Sequence, residues 1–101
     1  MNVANLQLEG LLMAVASINH VLVRNGIVTK EELDTALRKA EEGETSQDRS
    51  EELSSSNRDA INFPIRILQL ANQCQPEADL PSFATLAKMV GQVKEPYNDE
   101  I

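Results

Sequence analysis

The sequence predicts an all-α fold: a small bundle of about four helices, with an N-terminal helical hairpin followed by two further helices, in a single domain spanning residues 1–101. Three observations carry that prediction. Apolar residues return at spacings of three and four along each long segment, and no segment alternates apolar and polar residues as a half-buried strand does. Glycines, prolines and small hydroxyl or acidic residues also punctuate the chain where helices would stop and start.

The first helix is written in Ala4, Leu8, Leu11, Val15, Ile18 and Leu22, one stripe at helical spacing. Leu12, Ala16 and Val23 widen the stripe on one side, and Ala14 and Val21 widen it on the other. The apolar sector then covers more than half of the circumference, leaving Glu9, Gly10, Ser17, His20 and Arg24 in the polar remainder. A surface helix needs an apolar face only about 100° wide or slightly more. The surplus is expected to be covered by a second copy of the chain, with Leu8, Leu11, Leu12, Val15, Ile18 and Leu22 as interface residues.

Asn25-Gly26 is expected to end this helix, because glycine takes the left-handed conformation at no steric cost. Thr29 and Glu32 then form the two ends of a capping box, with Val28 and Leu33 placed as a hydrophobic staple. Glu31 and Glu32 sit at the positive end of the helix dipole, with Arg38 and Lys39 toward the negative end. Leu33, Ala36, Leu37 and Ala40 give this second helix one apolar face, and Gly43 is its expected stop. The two helices make the expected antiparallel hairpin, roughly residues 5–42.

Residues 43–56 (GETSQDRSEELSSS) carry Leu53 as their single large apolar residue and are expected to be a polar linker or loop. A short helix around Arg49–Leu53 is the alternative. Ala60, Pro64, Ile67, Ala71 and Cys74, with the parallel row Ile61, Ile65 and Leu68, then keep helical spacing through a proline. Either a helix begins at Pro64, or one helix from about Asn57 is kinked there; the unbroken stripe favours the second. Gln75-Pro76 is expected to close it. The last helix is announced by Asp79 or Ser82 as cap and Pro81 in the first turn. Phe83, Leu86, Ala87 and Val90 are its expected core face and Gly91 its expected stop, with 92–101 a polar tail.

Composition narrows function mainly by exclusion. Nine Lys and Arg against sixteen Asp and Glu give a formal charge of −7, which argues against nucleic acid and anionic membrane as partners, since both attract through basic side chains. The lone Cys74 forms no intramolecular disulfide and suits a reducing compartment. Leu11–Ala16 is too short an apolar run for a membrane span, and the start has no basic stretch of the kind export signals carry. A cytoplasmic location is expected.

No catalytic, cofactor-binding or metal-ligating residue stands out. One His and one Cys, His20 and Cys74, fall on different predicted helices, and a zinc site takes about four donors of those kinds. The carboxylate pairs Glu31-Glu32, Glu41-Glu42 and Glu51-Glu52 sit at exposed positions, whereas acid–base work needs a pocket that shifts a pKa. The four glycines are too scattered for a phosphate loop. Pro81–Gly91 has the cadence of the first helix of a helix-turn-helix, but Lys94-Glu95-Pro96 follows where a recognition helix is needed.

Leu22–Leu33 (LVRNGIVTKEEL) resembles the helix, glycine turn and helix near the start of nitrile hydratase α subunits. The cysteine motif that holds the metal in that family has no counterpart here, so the resemblance implies neither its metal nor its activity. The expected function is a non-enzymatic protein–protein interaction or regulatory module, homodimeric, with another protein as a possible further partner and no cofactor. A small enzyme with a carboxylate or Cys74 site formed across a dimer, and a DNA-associated regulator using the last helix, are the alternatives.

Overall fold

The computed structural model describes residues 3–46, 54–74 and 79–93. Among them are four helices and no strand: α1 (Val3–Arg24), α2 (Lys30–Glu44), α3 (Ser55–Asn72) and α4 (Phe83–Val93). They form an all-α bundle with α3 as its hub, since α1, α2 and α4 each make their principal helix contacts with it. The hairpin partners α1 and α2 follow one another through a short turn and are both held against α3.

The core lies where α1, α3 and α4 meet. Leu12 and Ala16 come from α1, Ile67 and Ala71 from α3, and Leu86 and Val90 from α4. Phe63 and Phe83 meet edge to face with ring centroids 6.3 Å apart, adding roughly 1 kcal/mol beyond their buried area. Ala16 and Ala71 are buried in the same cluster, small side chains on α1 and α3 within the core.

Helix α2 is fastened differently. It buries no residue fully: Leu33 and Leu37 are half-buried, and Ala36 and Ala40 are exposed. A polar seam joins it to α3. Arg66 donates from Nε and Nη2 to Glu41 Oε2 at 3.2 and 3.1 Å, and Gln69 Nε2 donates to Glu41 Oε1 at 3.0 Å. At the other end Asn72 Nδ2 donates to the Lys30 carbonyl at 3.0 Å, and Lys30 Nζ donates to the Gln73 carbonyl at 3.2 Å. The bonds to the Glu41 carboxylate and from the Lys30 ammonium are charge-assisted and stronger than neutral ones such as that from Asn72.

The local punctuation follows the sequence at α1 and α2. Gly26 has φ +72°, the Gly26 amide donates to Val23 O at 3.0 Å and the Ile27 amide to Leu22 O at 2.9 Å. This is the Schellman pattern, which satisfies the last carbonyls of α1. The capping box is complete: the Glu32 amide donates to Thr29 Oγ1 at 2.9 Å and the Thr29 amide to Glu32 Oε1 at 2.7 Å.

Other boundaries differ from the sequence reading. Gly43 does not stop α2, which runs to Glu44 with Thr45 as its C-cap; the Thr45 amide and hydroxyl both reach the Glu41 carbonyl, so the end is closed without a left-handed glycine. That extension puts Glu41, Glu42 and Glu44, not Arg38 and Lys39, in the last turn, an unfavourable charge for the dipole that Arg66 offsets at Glu41. Gly91 likewise lies inside α4. Pro81 precedes α4 instead of opening its first turn, and Ser82 is the cap, its hydroxyl accepting from the Thr85 amide at 3.2 Å.

Pro64 is inside α3, so the helix is continuous through it, and α3 starts at Ser55 with the Ser54 hydroxyl accepting from the Asn57 amide at 3.2 Å. It ends at Asn72, before the expected Gln75-Pro76, which lie outside the described residues. Of the expected linker 43–56, Gly43 and Glu44 belong to α2 and residues 55–56 to α3. Residues 47–53, with the alternative helix around Arg49–Leu53, lie outside the described residues, as does the tail from 94 onward.

Candidate functional site

His20 is half-buried on α1, while Cys74 follows α3, half-buried, its thiol donating to the Leu70 carbonyl at 3.7 Å. Among the described residues no group of three His, Cys, Asp or Glu side chains is placed to hold a metal ion. Glu31, Glu32 and Glu42 are exposed, Glu41 is tied into the seam with Arg66 and Gln69, and Glu51-Glu52 lie outside the described residues. Lys88 is the one basic residue of α4.

One cleft of about 690 Å³ opens between α1, α3 and α4. Phe63, Phe83 and Leu8 give it apolar walls, and Asn5, Glu9 and Asp59 give it polar ones. Asp59 also lies 3.9 Å from Arg66, which ties its carboxylate to the seam.

Among the described residues, most of the exposed large hydrophobic side chains are on α1. Leu11 and Ile18 are 61% and 60% exposed, Val3 67% and Leu6 50%, and Val21 is exposed as well. Gly10, Ala14 and Ser17 lie exposed among them. With Ile27 in the following turn, these large aliphatic residues leave roughly 600 Å² uncovered, at the top of the range for the largest apolar patch on an ordinary monomer.

The structure divides the six expected interface residues. Leu8, Leu11 and Ile18 are exposed, Val15 and Leu22 are half-buried at the edge, and Leu12 is 4% exposed within the core of the single chain. The packed side of α1 is centred roughly one residue's rotation away from the stripe expected to meet a second copy. Its physical cause is the pair Leu12 and Ala16, four residues apart, where the small alanine lets α1 settle against α3. Glu9 and His20, read as the outer polar sector, are consequently half-buried at the margin of the packed side.

Helix α1 is long and apolar enough to cross a membrane by length and composition, although the run Leu11–Ala16 alone is not. Two further features escaped the sequence reading. Asn62 is buried at 2% exposure with no partner for Oδ1 among the described residues, and Glu41 and Arg66, 25 positions apart, form the central ion pair. Neither has a local sequence signal.

Against protein families, curated proteins and solved structures, the chain finds no match, and no family membership joins the short resemblance at Leu22–Leu33.

Proposed function

We propose that the chain is a non-enzymatic, cytoplasmic protein–protein interaction or regulatory module that works as a homodimer. The observation that carries this reading is the outer face of α1, where Leu6, Leu11, Ile18 and Val21 stand exposed on a helix whose opposite side is already packed. The largest apolar patch on a monomer is often functional, which supports reading this face as a contact surface.

Charge weighs against a lipid surface as the occupant. The chain is formally −7, and α1 carries Arg24 as its only Lys or Arg, whereas interfacial helices bind anionic lipid through several. A span is disfavoured too: between Glu9 and His20 lie ten residues without an ionisable group, against about 20 needed to cross the hydrocarbon core.

Sedimentation velocity from low to high micromolar concentration tests the reading. The expected result is a concentration-dependent dimer that Leu11→Glu or Ile18→Glu converts to a folded monomer, since both positions are exposed in the single chain. A wild-type monomer at every concentration overturns the homodimer.

A second reading, a small carboxylate enzyme, is favoured by the cleft, whose walls bring Glu9 and Asp59 next to apolar Phe63 and Phe83. Protection of the two carboxylates from carbodiimide labelling by a small ligand would support it, and uniform labelling would remove it.

A further inference from the structure

The proposed homodimer leaves its geometry open, and the outer face of α1 constrains it. Resting on that reading, we infer that two copies pair antiparallel through α1, with the two-fold axis passing at Ala14 and each Gly10 receiving the other copy's Ile18.

The first argument is area. A standard interface buries about 800 Å² per partner. The exposed aliphatic residues of α1 and its turn supply roughly 600 Å² of that before Gly10, Ala14 and Ser17 between them are counted. The outer face of α1 and its turn therefore supply about three-quarters of a standard interface before those small residues are added. A two-fold pairing is also self-complementary by construction, so one patch serves both partners.

The second argument is register. Ala14 lies at the middle of the exposed sector, with Gly10 four residues before it, Ile18 four after, and Leu11 and Ser17 three to either side. An antiparallel crossing at Ala14 sets residue i against residue 28 minus i. Ile18 then falls on Gly10 of the second copy, and Leu11 falls on Ser17. Ile18, the large residue nearest the contact line, then meets a small one, and Ala14, also small, lies at the crossing point, where backbones come closest. A parallel pairing in register instead sets Leu11 on Leu11 and Ile18 on Ile18, with Gly10 and Ser17 opposite their own copies and voids beside them. It also aligns the two helix dipoles, which the antiparallel pairing opposes favourably.

Gly10 has room for this contact: nothing lies within 4 Å of a Cβ built on it, so its outer side is open in the single chain. A larger residue there leaves the monomer intact and obstructs the second copy.

Cysteine cross-linking in a Cys74→Ser background tests the inference. Disulfides need Cα atoms within about 7 Å. Antiparallel pairing at Ala14 therefore predicts that Ala14→Cys forms a covalent dimer on mild oxidation. Two Leu11→Cys copies are offset by six residues, roughly 9 Å along the axis, and two Ile18→Cys copies by eight, so neither should link. Mixing Gly10→Cys chains with Ile18→Cys chains should restore a link. In parallel, Gly10→Leu should weaken the dimer roughly thirtyfold or more, because the clash occurs twice per dimer, and Ile18→Ala in the same chain should recover most of that loss. Circular dichroism confirms that each variant is folded.

Links at Leu11, Ala14 and Ile18 alike would establish a parallel pairing and overturn this inference while leaving the homodimer standing. A dimer linked at none of them, indifferent to Gly10→Leu, would place the interface elsewhere and overturn it as well. A monomer at all concentrations, or one that floats with anionic vesicles, overturns both the inference and the homodimer beneath it.

Discussion

Two isoleucines test the division of α1 and α3 into packed and open sides. Ile67 is 0% exposed at the hub of the bundle, whereas Ile18 is 60% exposed on the outer face of α1. Ile67→Ala removes three carbons, worth roughly 0.8 kcal/mol each in transfer free energy, or about 2.4 kcal/mol together. A residual cavity on the order of 50 Å³ adds about 1 kcal/mol at the usual cost per unit volume, for a total of about 3–4 kcal/mol. A domain of this length has roughly 5–15 kcal/mol of stability in all. Urea unfolding at sub-micromolar protein, where the chain is monomeric, should therefore show a midpoint lower by about 2 M for Ile67→Ala. Ile18→Ala deletes the same atoms and should cost less than about 1 kcal/mol under the same conditions, because most of its surface stays in water. At tens of micromolar its cost should grow if the proposed dimer forms, since association then stabilises the wild type more than the variant. Similar costs for the two variants at low concentration would refute the assignment of faces.

Three further variants test the backbone and the polar interior. Pro64→Ala should raise stability by about 1–3 kcal/mol in urea unfolding, because proline inside a helix lacks a donor and crowds the preceding turn; a loss would show that its ring packing matters more. Thr29→Ala should lower stability by about 1 kcal/mol by breaking the capping box, with the melting temperature as the readout, and no change would mean that Glu32 and water satisfy the same amides. Asn62→Leu should raise the urea midpoint by an amount equivalent to about 1 kcal/mol, because it removes a buried acceptor that has no partner among the described residues; a fall would reveal a hydrogen bond that the side chain does make.

What the sequence disclosed depends on how local each interaction is. The Gly26 turn and the Thr29–Glu32 box are complete within four or six residues, so the residue types alone identify them. The helix through Pro64 was legible because the apolar stripe kept its phase on both sides of the proline. Gly43 and Gly91 were misleading stops, since glycine lowers helix propensity by only about 1 kcal/mol and the flanking helices carry that. The orientation of α1 was not legible for a different reason. When more than half of a helix is apolar, periodicity leaves several faces equally able to pack, and Leu12 with Ala16 prevailed over the larger side chains by permitting close approach. The exposed side was legible only in part: Leu8, Leu11 and Ile18 of the stripe are exposed, whereas Leu12 lies in the core, a tertiary fact. The same holds for Glu41 and Arg66, whose pairing joins helices 25 residues apart.

Charge supplies a last discriminating prediction about the proposed contact. Each chain is formally −7, so two copies repel at long range, while the exposed face of α1 contributes only Arg24 among its charged residues. The attraction in the proposed dimer is then apolar and insensitive to screening, whereas the repulsion is screened. The Debye length falls from about 30 Å at 0.01 M salt to about 8 Å at 0.15 M. Most of the repulsion between the acidic surfaces, which surround the contact without entering it, is removed over that range. The dimer dissociation constant should therefore tighten several-fold between 0.01 and 0.15 M sodium chloride and change little above it. An interface made from ion pairs between the acidic helices and the scattered lysines and arginines behaves oppositely, because salt screens its attraction. Sedimentation equilibrium across the salt series separates the two: a dimer that weakens steadily with salt would place the contact on charged surface and away from the outer face of α1.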